Sequence, residues 1–265
     1  MSSNTPATLD ISRAGPVARV FLNRPEVRNA FNSAVIAELT SAFAALGADD
    51  SVRVIVLGGH GKAFCAGADL NWMRAMADYS WAQNRDDAQA LADMLHTIWR
   101  CPKPVVGRLH GDCFAGGVGL AACCDVLVAA DGLNFCLSEV RLGLLPATIG
   151  PYVIRAIGEQ AARRYFITAE RFDSREAHRL GLVHALCEPT ALDSTVEAIV
   201  AALLANGPQA VAASKRLVQD LAGAPISDAL RADTARRIAD IRASDEGKDG
   251  VQAFLSKREP AWKQG

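Results

Sequence analysis

An apolar run that ends in a glycine-rich loop, which in turn opens a helix, occurs twice in this chain, and it constrains the fold more than any other feature. Residues 52–57 lead to Phe64-Cys65-Ala66-Gly67-Ala68-Asp69-Leu70, and residues 105–109 lead to Gly111-Asp112-Cys113-Phe114-Ala115-Gly116-Gly117-Val118-Gly119. Apolar runs of this length, bounded by glycines, read as strands buried on both faces, which belong in a parallel sheet covered by helices. Small side chains let backbone approach a ligand closely, and the first N–H groups of a helix have no partner in their own helix. Two such loops on one carbonyl oxygen would form an oxyanion hole. Because no nucleophilic Ser or Cys arrangement accompanies them, the chemistry that needs such a hole here is enolate formation on an activated acyl group.

Elsewhere the pattern is that of an α/β chain. Residues 9–13 and 17–22 read as a hairpin around Ala14-Gly15-Pro16, and Asn32 or Ser33 starts a helix whose apolar positions Val35, Ile36, Leu39, Phe43 and Leu46 recur at helical spacing. Residues 70–100 read as one or two helices with a break near 78–84. A helix from Gly117, a strand over 125–129 and a short strand over 134–137 follow, the last running into Ser138-Glu139. Helical patterns dominate from Pro146, with one short strand near 182–186. The chain therefore divides into a core over residues 1–188 and a helical region over 189–265, the latter suited to docking on its own core or a neighbouring subunit.

Composition narrows the function. Lys plus Arg total 28 against 29 for Asp plus Glu, a net charge of −1 that gives no electrostatic footprint for nucleic acid or a lipid surface. The polar start of the chain carries no secretory pattern, which points to the cytoplasm. Seven cysteines show no C-x-x-C spacing and five histidines show no metal-ligand spacing, so thiols and imidazoles are read as structural. Gly117, Gly119 and Ala122 satisfy a loose dinucleotide fingerprint, but the helix before Asp125 has room for only two turns or so, and no G-K-[ST] sequence marks a P-loop.

Glu139 is the acid/base candidate, since it follows a short apolar strand and sits in a loop rather than on a solvated helix face. Asp69 reads as a helix cap, Asp125 as a strand-edge residue, and Asp112 as solvated or orienting a water.

The two loops, with Cys124-Asp125, the opening Leu22-Asn23-Arg24-Pro25, the Ser138-Glu139-Val140-Arg141-Leu142-Gly143 turn and the terminal Phe254-Leu255-Ser256-Lys257-Arg258-Glu259-Pro260, resemble in this order the enoyl-CoA hydratase/isomerase (crotonase) family. The resemblance implies a spiral of ββα units with a helical C-terminal region, assembled as a trimer or hexamer, acting on an acyl-CoA thioester with no separate cofactor. By position it makes the N–H groups of Ala68 and Gly116 the oxyanion-hole donors and Glu139 the proton carrier. It places Val27, Ala66 and Asp69 beside CoA or the substrate, Trp72, Met73 and Met76 near the acyl group, and Lys257 on CoA phosphates. The chain departs from the family at Gly119, where hydratases carry a first glutamate, and at Asn71, where some members have a lysine. The segments 135–143, 151–152 and 161–165 are similar to the bacterial methylglutaconyl-CoA hydratase branch of leucine degradation, whose substrate tail would want a cation, Arg141 or Arg74. A one-glutamate double-bond isomerase and a non-catalytic acyl-CoA-binding protein are the alternatives.

Overall fold

The computed structural model of the chain describes residues 8–263. Strands β1 (Leu9–Ala14) and β2 (Val17–Leu22) form the hairpin, followed by α1 (Ser33–Ala48), which Asn32 caps by accepting from the Val35 N–H at 3.0 Å. Then come β3 (Val54–Gly59), β4 (Ala63–Cys65), α2 (Leu70–Met76) and α3 (Trp81–Arg100). The break between the last two helices covers 77–80, overlapping the first part of the expected 78–84. Ser80 sets it, because its hydroxyl and the Gln83 side chain form a reciprocal capping box that can only open a helix at Trp81.

The pattern repeats as β5 (Val105–Leu109), β6 (Asp112–Phe114) and α4 (Gly116–Ala122), and again as β7 (Val126–Ala130), β8 (Asn134–Cys136) and α5 (Gly150–Thr168). A closing unit has β9 (Phe172–Asp173), α6 (Ser174–Arg179) and β10 (Ala185–Cys187), before α7 (Leu192–Leu204), α8 (Pro208–Leu221), α9 (Asp228–Ala243) and α10 (Asp245–Leu255).

From β3 onward each ββα unit gives one strand to each of two sheets, whereas the opening hairpin gives both of its strands to the larger one. The larger sheet has the order β1-β2-β3-β5-β7-β10 and the smaller β4-β6-β8-β9. Apart from the antiparallel β1–β2 and β8–β9 pairs, all neighbours run parallel, which is the spiral the resemblance implied. Val54, Ile55, Val56, Leu57, Val105, Val106, Leu127 and Val128 are fully buried or nearly so, as strands covered on both faces must be. Helix α7 buries Leu192, Val196 and Val200 against this sheet, whereas α8 and α9 bury no residue. Two ion pairs tie α8 to the core: Lys215 reaches the Asp125 carboxylate at 2.7 Å and the Lys103 carbonyl at 3.1 Å, and Asp220 meets Arg100 of α3 at 3.2 Å. Asp125, expected at a strand edge, is thus one anchor for that helix.

Candidate active site

Three short parallel strands of the smaller sheet build the candidate site. Because β4 pairs with β6 (Ala63 opposite Asp112, Cys65 opposite Cys113) and β6 with β8 (Cys113 opposite Phe135), their carboxyl ends lie side by side. The segments that leave those ends carry Ala68, Gly116 and Glu139 in that order. Open parallel sheets present ligand sites at such ends, and here the register decides which residues share one.

In the first loop an isolated parallel bridge pairs Phe31 with Ala68. The Phe31 N–H donates to the Gly67 carbonyl at 2.7 Å, and the Asp69 N–H donates to the Phe31 carbonyl at 2.8 Å. Since successive peptide groups of an extended chain point to opposite sides, these two bonds turn the Ala68 N–H away from Phe31. It has no acceptor among the described residues. Gly67 is at φ +91°, and a Cβ there would stand 2.9 Å from the Ala115 Cβ and 3.7 Å from the Gly116 nitrogen. The two loops are therefore in contact, and only glycine permits that approach.

The second loop is strained at Ala115, with φ 48° and ψ −120°, a conformation that non-glycine residues adopt at a cost and that clusters at functional sites. Two bonds hold it there: the Ala115 N–H donates to the Cys136 carbonyl, and the Val118 N–H donates to the Ala115 carbonyl. The strained residue starts α4 abruptly, so Gly116 is its first residue and the Gly116 N–H likewise has no acceptor among the described residues. Ala68 and Gly116 are both half-buried.

Glu139 opens a single 3-10 turn (Glu139–Leu142) directly after β8 and Ser138. Its Oε2 is shut off from solvent and has no hydrogen-bond partner among the described residues. Burial raises its pKa above the ordinary glutamate value, an effect that its own backbone N–H only partly offsets. An orphaned, desolvated carboxyl oxygen is unfavourable for folding and useful to a proton-transfer catalyst.

Gly119 lies one helical turn beyond Gly116, on the same face of α4. A Cβ at Gly119 would fall 2.1 Å from the Cγ2 and 2.4 Å from the Cβ of Ile149, a residue only 2% exposed. The position that lacks the family's glutamate is thus filled from outside by an isoleucine. Nothing in the sequence signalled this, because Ile149 sits far along the chain at the start of α5.

The remaining predicted residues divide. Asp69 caps α2 as expected, its Oδ1 accepting from the N–H groups of Asn71 at 2.8 Å and Trp72 at 3.4 Å, but its Oδ2 also receives Arg24 at 2.9 Å. Burial opposes ionisation of Asp69; the Asn71 N–H, the Arg24 guanidinium and the Trp72 N–H outweigh it and hold the carboxyl below its usual range. In the sequence Arg24 stands out only as part of the Leu22-Asn23-Arg24-Pro25 motif. Ala66 and the single turn Pro25–Val27 are joined by the Ala66 N–H donating to the Arg28 carbonyl at 3.0 Å. Trp72 packs on the core and donates from Nε1 to Asp87 at 3.1 Å, joining α2 to α3, and Met73 is half-buried beside it. Lys257 stands exposed at φ 52° just past α10, with no bond to the first loop among the described residues. Asp112 is engaged through one oxygen: its Oδ1 accepts from both the backbone and side-chain nitrogens of Asn134 and so splices β6 to β8. Arg74 turns to the Asn71 side chain, and Arg141 donates to the Ala169 carbonyl while facing no carboxylate partner among the described residues.

The fold is a spiral of ββα units with two glycine-rich loops and a buried glutamate at one end of its smaller sheet. Residues 12–265 match the family described as enoyl-CoA hydratase/isomerase. The chain belongs to that family. It is 35% identical over 246 residues to a Thermus thermophilus protein named as an enoyl-CoA hydratase, covering 93% of this chain and 97% of the relative. It is 30% identical to the 2,3-dehydroadipyl-CoA hydratase of Escherichia coli, covering 96% of this chain and 98% of the relative. The crystal structure of an enoyl-CoA hydratase from Shewanella pealeana superimposes with a TM-score of 0.94 at 40% identity, covering 96% of each chain.

Proposed function

We propose that the chain adds water reversibly across the double bond of an α,β-unsaturated acyl-CoA. What supports this reading is that one desolvated carboxyl, Glu139, and two unpartnered amides, Ala68 and Gly116, lie on segments that leave the carboxyl ends of three adjoining strands. In this mechanism the two N–H groups hold the thioester oxygen, which becomes negative when water attacks the β carbon. Ionised Glu139 takes one proton from that water and returns it to the α carbon, so the elements of one water are added and the carboxylate is regenerated. A carboxyl whose pKa is raised toward the working pH suits both halves of that transfer.

A second reading, double-bond isomerisation, is favoured by Ile149, because a single glutamate suffices to move a proton between the α and γ carbons and the water side of the site is apolar. On the substrate side, the similarity to the methylglutaconyl branch and a relative named for a dicarboxylic acyl-CoA support a thioester with a distal carboxylate, with Arg141 as its cation. Assembly as a homotrimer or hexamer is the reading supported by α8 and α9, which bury nothing within one chain. Incubation with crotonyl-CoA, 3-methylglutaconyl-CoA and a 3-enoyl-CoA, with products followed by mass, tests these readings together. Addition of one water supports hydration, an isomer of unchanged mass supports the second reading, and inert binding of all three contradicts both.

A further inference from the structure

The Ala68 N–H can serve an oxyanion only if its direction is fixed, since displacement of a donor by about 1 Å forfeits on the order of 10²-fold in rate. Loops do not hold such tolerances by themselves, so something must brace this one. Two backbone bonds to Phe31 flank Ala68, and both depend on where the segment 30–31 lies. That segment follows Arg28 and Asn29, two non-glycine residues at φ 53° and 56°, a costly conformation that other contacts have to enforce.

Arg24 meets both sides of the bridge. One guanidinium nitrogen donates to the Ala30 carbonyl at 2.7 Å, and the other donates to Asp69 Oδ2 at 2.9 Å. Its backbone N–H donates to Asn29 Oδ1 at 2.9 Å, while Asn29 Nδ2 donates to the carbonyls of His60 at 2.8 Å and Ala63 at 2.9 Å. The Arg24 and Asp69 side chains are 18% and 7% exposed, so water screens their contact little. Capping of α2 needs only Asp69 Oδ1, which leaves the ion pair without a local structural task. A buried pair of this kind is weak evidence for stability and better understood as fixing geometry.

We propose that Arg24 and Asp69 are a positioning pair that clamps the segment 30–31 to the first glycine-rich loop and thereby aims the Ala68 N–H. In this role both side chains act through the backbone of 30–31 and of the first loop. The proposal rests on the oxyanion-hole reading of Ala68, and the test separates the two. The probe is butyryl-CoA, a saturated thioester carrying ¹³C at its carbonyl, bound to the full-length protein and followed by isotope-edited infrared spectroscopy. Hydrogen bonds to that carbonyl lower its stretching frequency, so the wild-type complex is expected to absorb below the free ligand. Arg24→Lys keeps a cation beside Asp69 but cannot span Ala30 and Asp69 with a planar fork. Asp69→Asn keeps an N-cap oxygen but removes the charge.

In both variants the carbonyl band is expected to return toward its free position. The kcat with crotonyl-CoA is expected to fall by about 10- to 100-fold with KM little changed, as for partial loss of one oxyanion donor. No shift in the wild-type complex contradicts the oxyanion-hole reading itself. A wild-type shift retained in full by folded Arg24→Lys overturns the positioning role, whatever happens to Asp69→Asn or to thermal stability.

Discussion

Substituting Ala for Gly119 tests the packing that defines this site, because elementary propensity and the observed geometry predict opposite signs. Glycine inside a helix is about 0.5–1 kcal/mol worse than alanine, so at an unobstructed position Gly119→Ala would stabilise the protein by roughly that amount. Here the added methyl lands 2.1 Å from Ile149 Cγ2, where carbon atoms in contact lie about 3.5–4.0 Å apart. One wall must therefore move by more than 1 Å inside a close-packed interior, which places the penalty at the upper end of the overpacking range, about 3 kcal/mol. The net expectation is a loss of about 2 kcal/mol, or roughly 4–8 °C in Tm for a chain of this size. Thermal and urea unfolding followed by circular dichroism read it directly. Ile149→Ala leaves its own Cβ 2.4 Å from the new methyl, whereas with Ile149→Gly the nearest remaining atom is the Cα at 3.4 Å. Gly119→Ala should thus remain unfavourable in the first background and become neutral or stabilising in the second. A single variant at least as stable as the wild type would refute the claim that Ile149 fills this position.

Removing the Glu139 charge should exchange activity for stability. Its folded pKa is raised, so between the unfolded and folded values the native state binds more protons and stability falls as pH rises. Glu139→Gln is accordingly expected to melt above the wild type at neutral pH, with the advantage shrinking as pH falls below both values; a pH-independent difference in Tm would contradict this. For the same reason the acid limb of the wild-type kcat/KM profile should lie above the ordinary glutamate range. Lys215→Met would leave the Asp125 carboxyl, already raised in pKa by burial against its attraction to Lys215, without its cation. The expected loss is about 3 kcal/mol at neutral pH, easing on acidification as Asp125 protonates, and a pH-independent loss would show that the pair does not anchor α8.

Much of the larger sheet was legible because β2, β3, β5 and β7 are long enough to show apolar continuity, and α1 because its cap and five buried positions agree. The smaller sheet was not foreseen as a sheet. Of its strands only β8 was read, over 134–137; β4 and β6 have three residues each, too few for any period to register, and they overlap or lie inside the glycine-rich segments. Yet it is their pairing that brings Ala68, Gly116 and Glu139 to one edge. Local sequence marked the two glycine-rich loops and the Glu139 candidate separately, and only the order of motifs shared with a family singled out Ala68 and Gly116 and suggested that the three meet. The Asp112–Asn134 splice was not legible either, because a loop carboxylate and a strand-splicing carboxylate look alike until the partner is known. Arg24 and Ile149 act through contacts across 45 and 30 residues respectively, distances at which sequence pattern carries no signal.

The central claim is that Glu139 moves the α proton of an enolate held by Ala68 and Gly116. The rate at which deuterium enters the α carbon of the product formed from crotonyl-CoA in D₂O, compared between wild type and Glu139→Gln, tests it most directly. The account predicts stereospecific uptake of one deuterium by the wild type and a rate lower by about 10²–10⁴-fold in the variant, the scale of lost general acid/base catalysis. Near-normal incorporation by folded Glu139→Gln would contradict it.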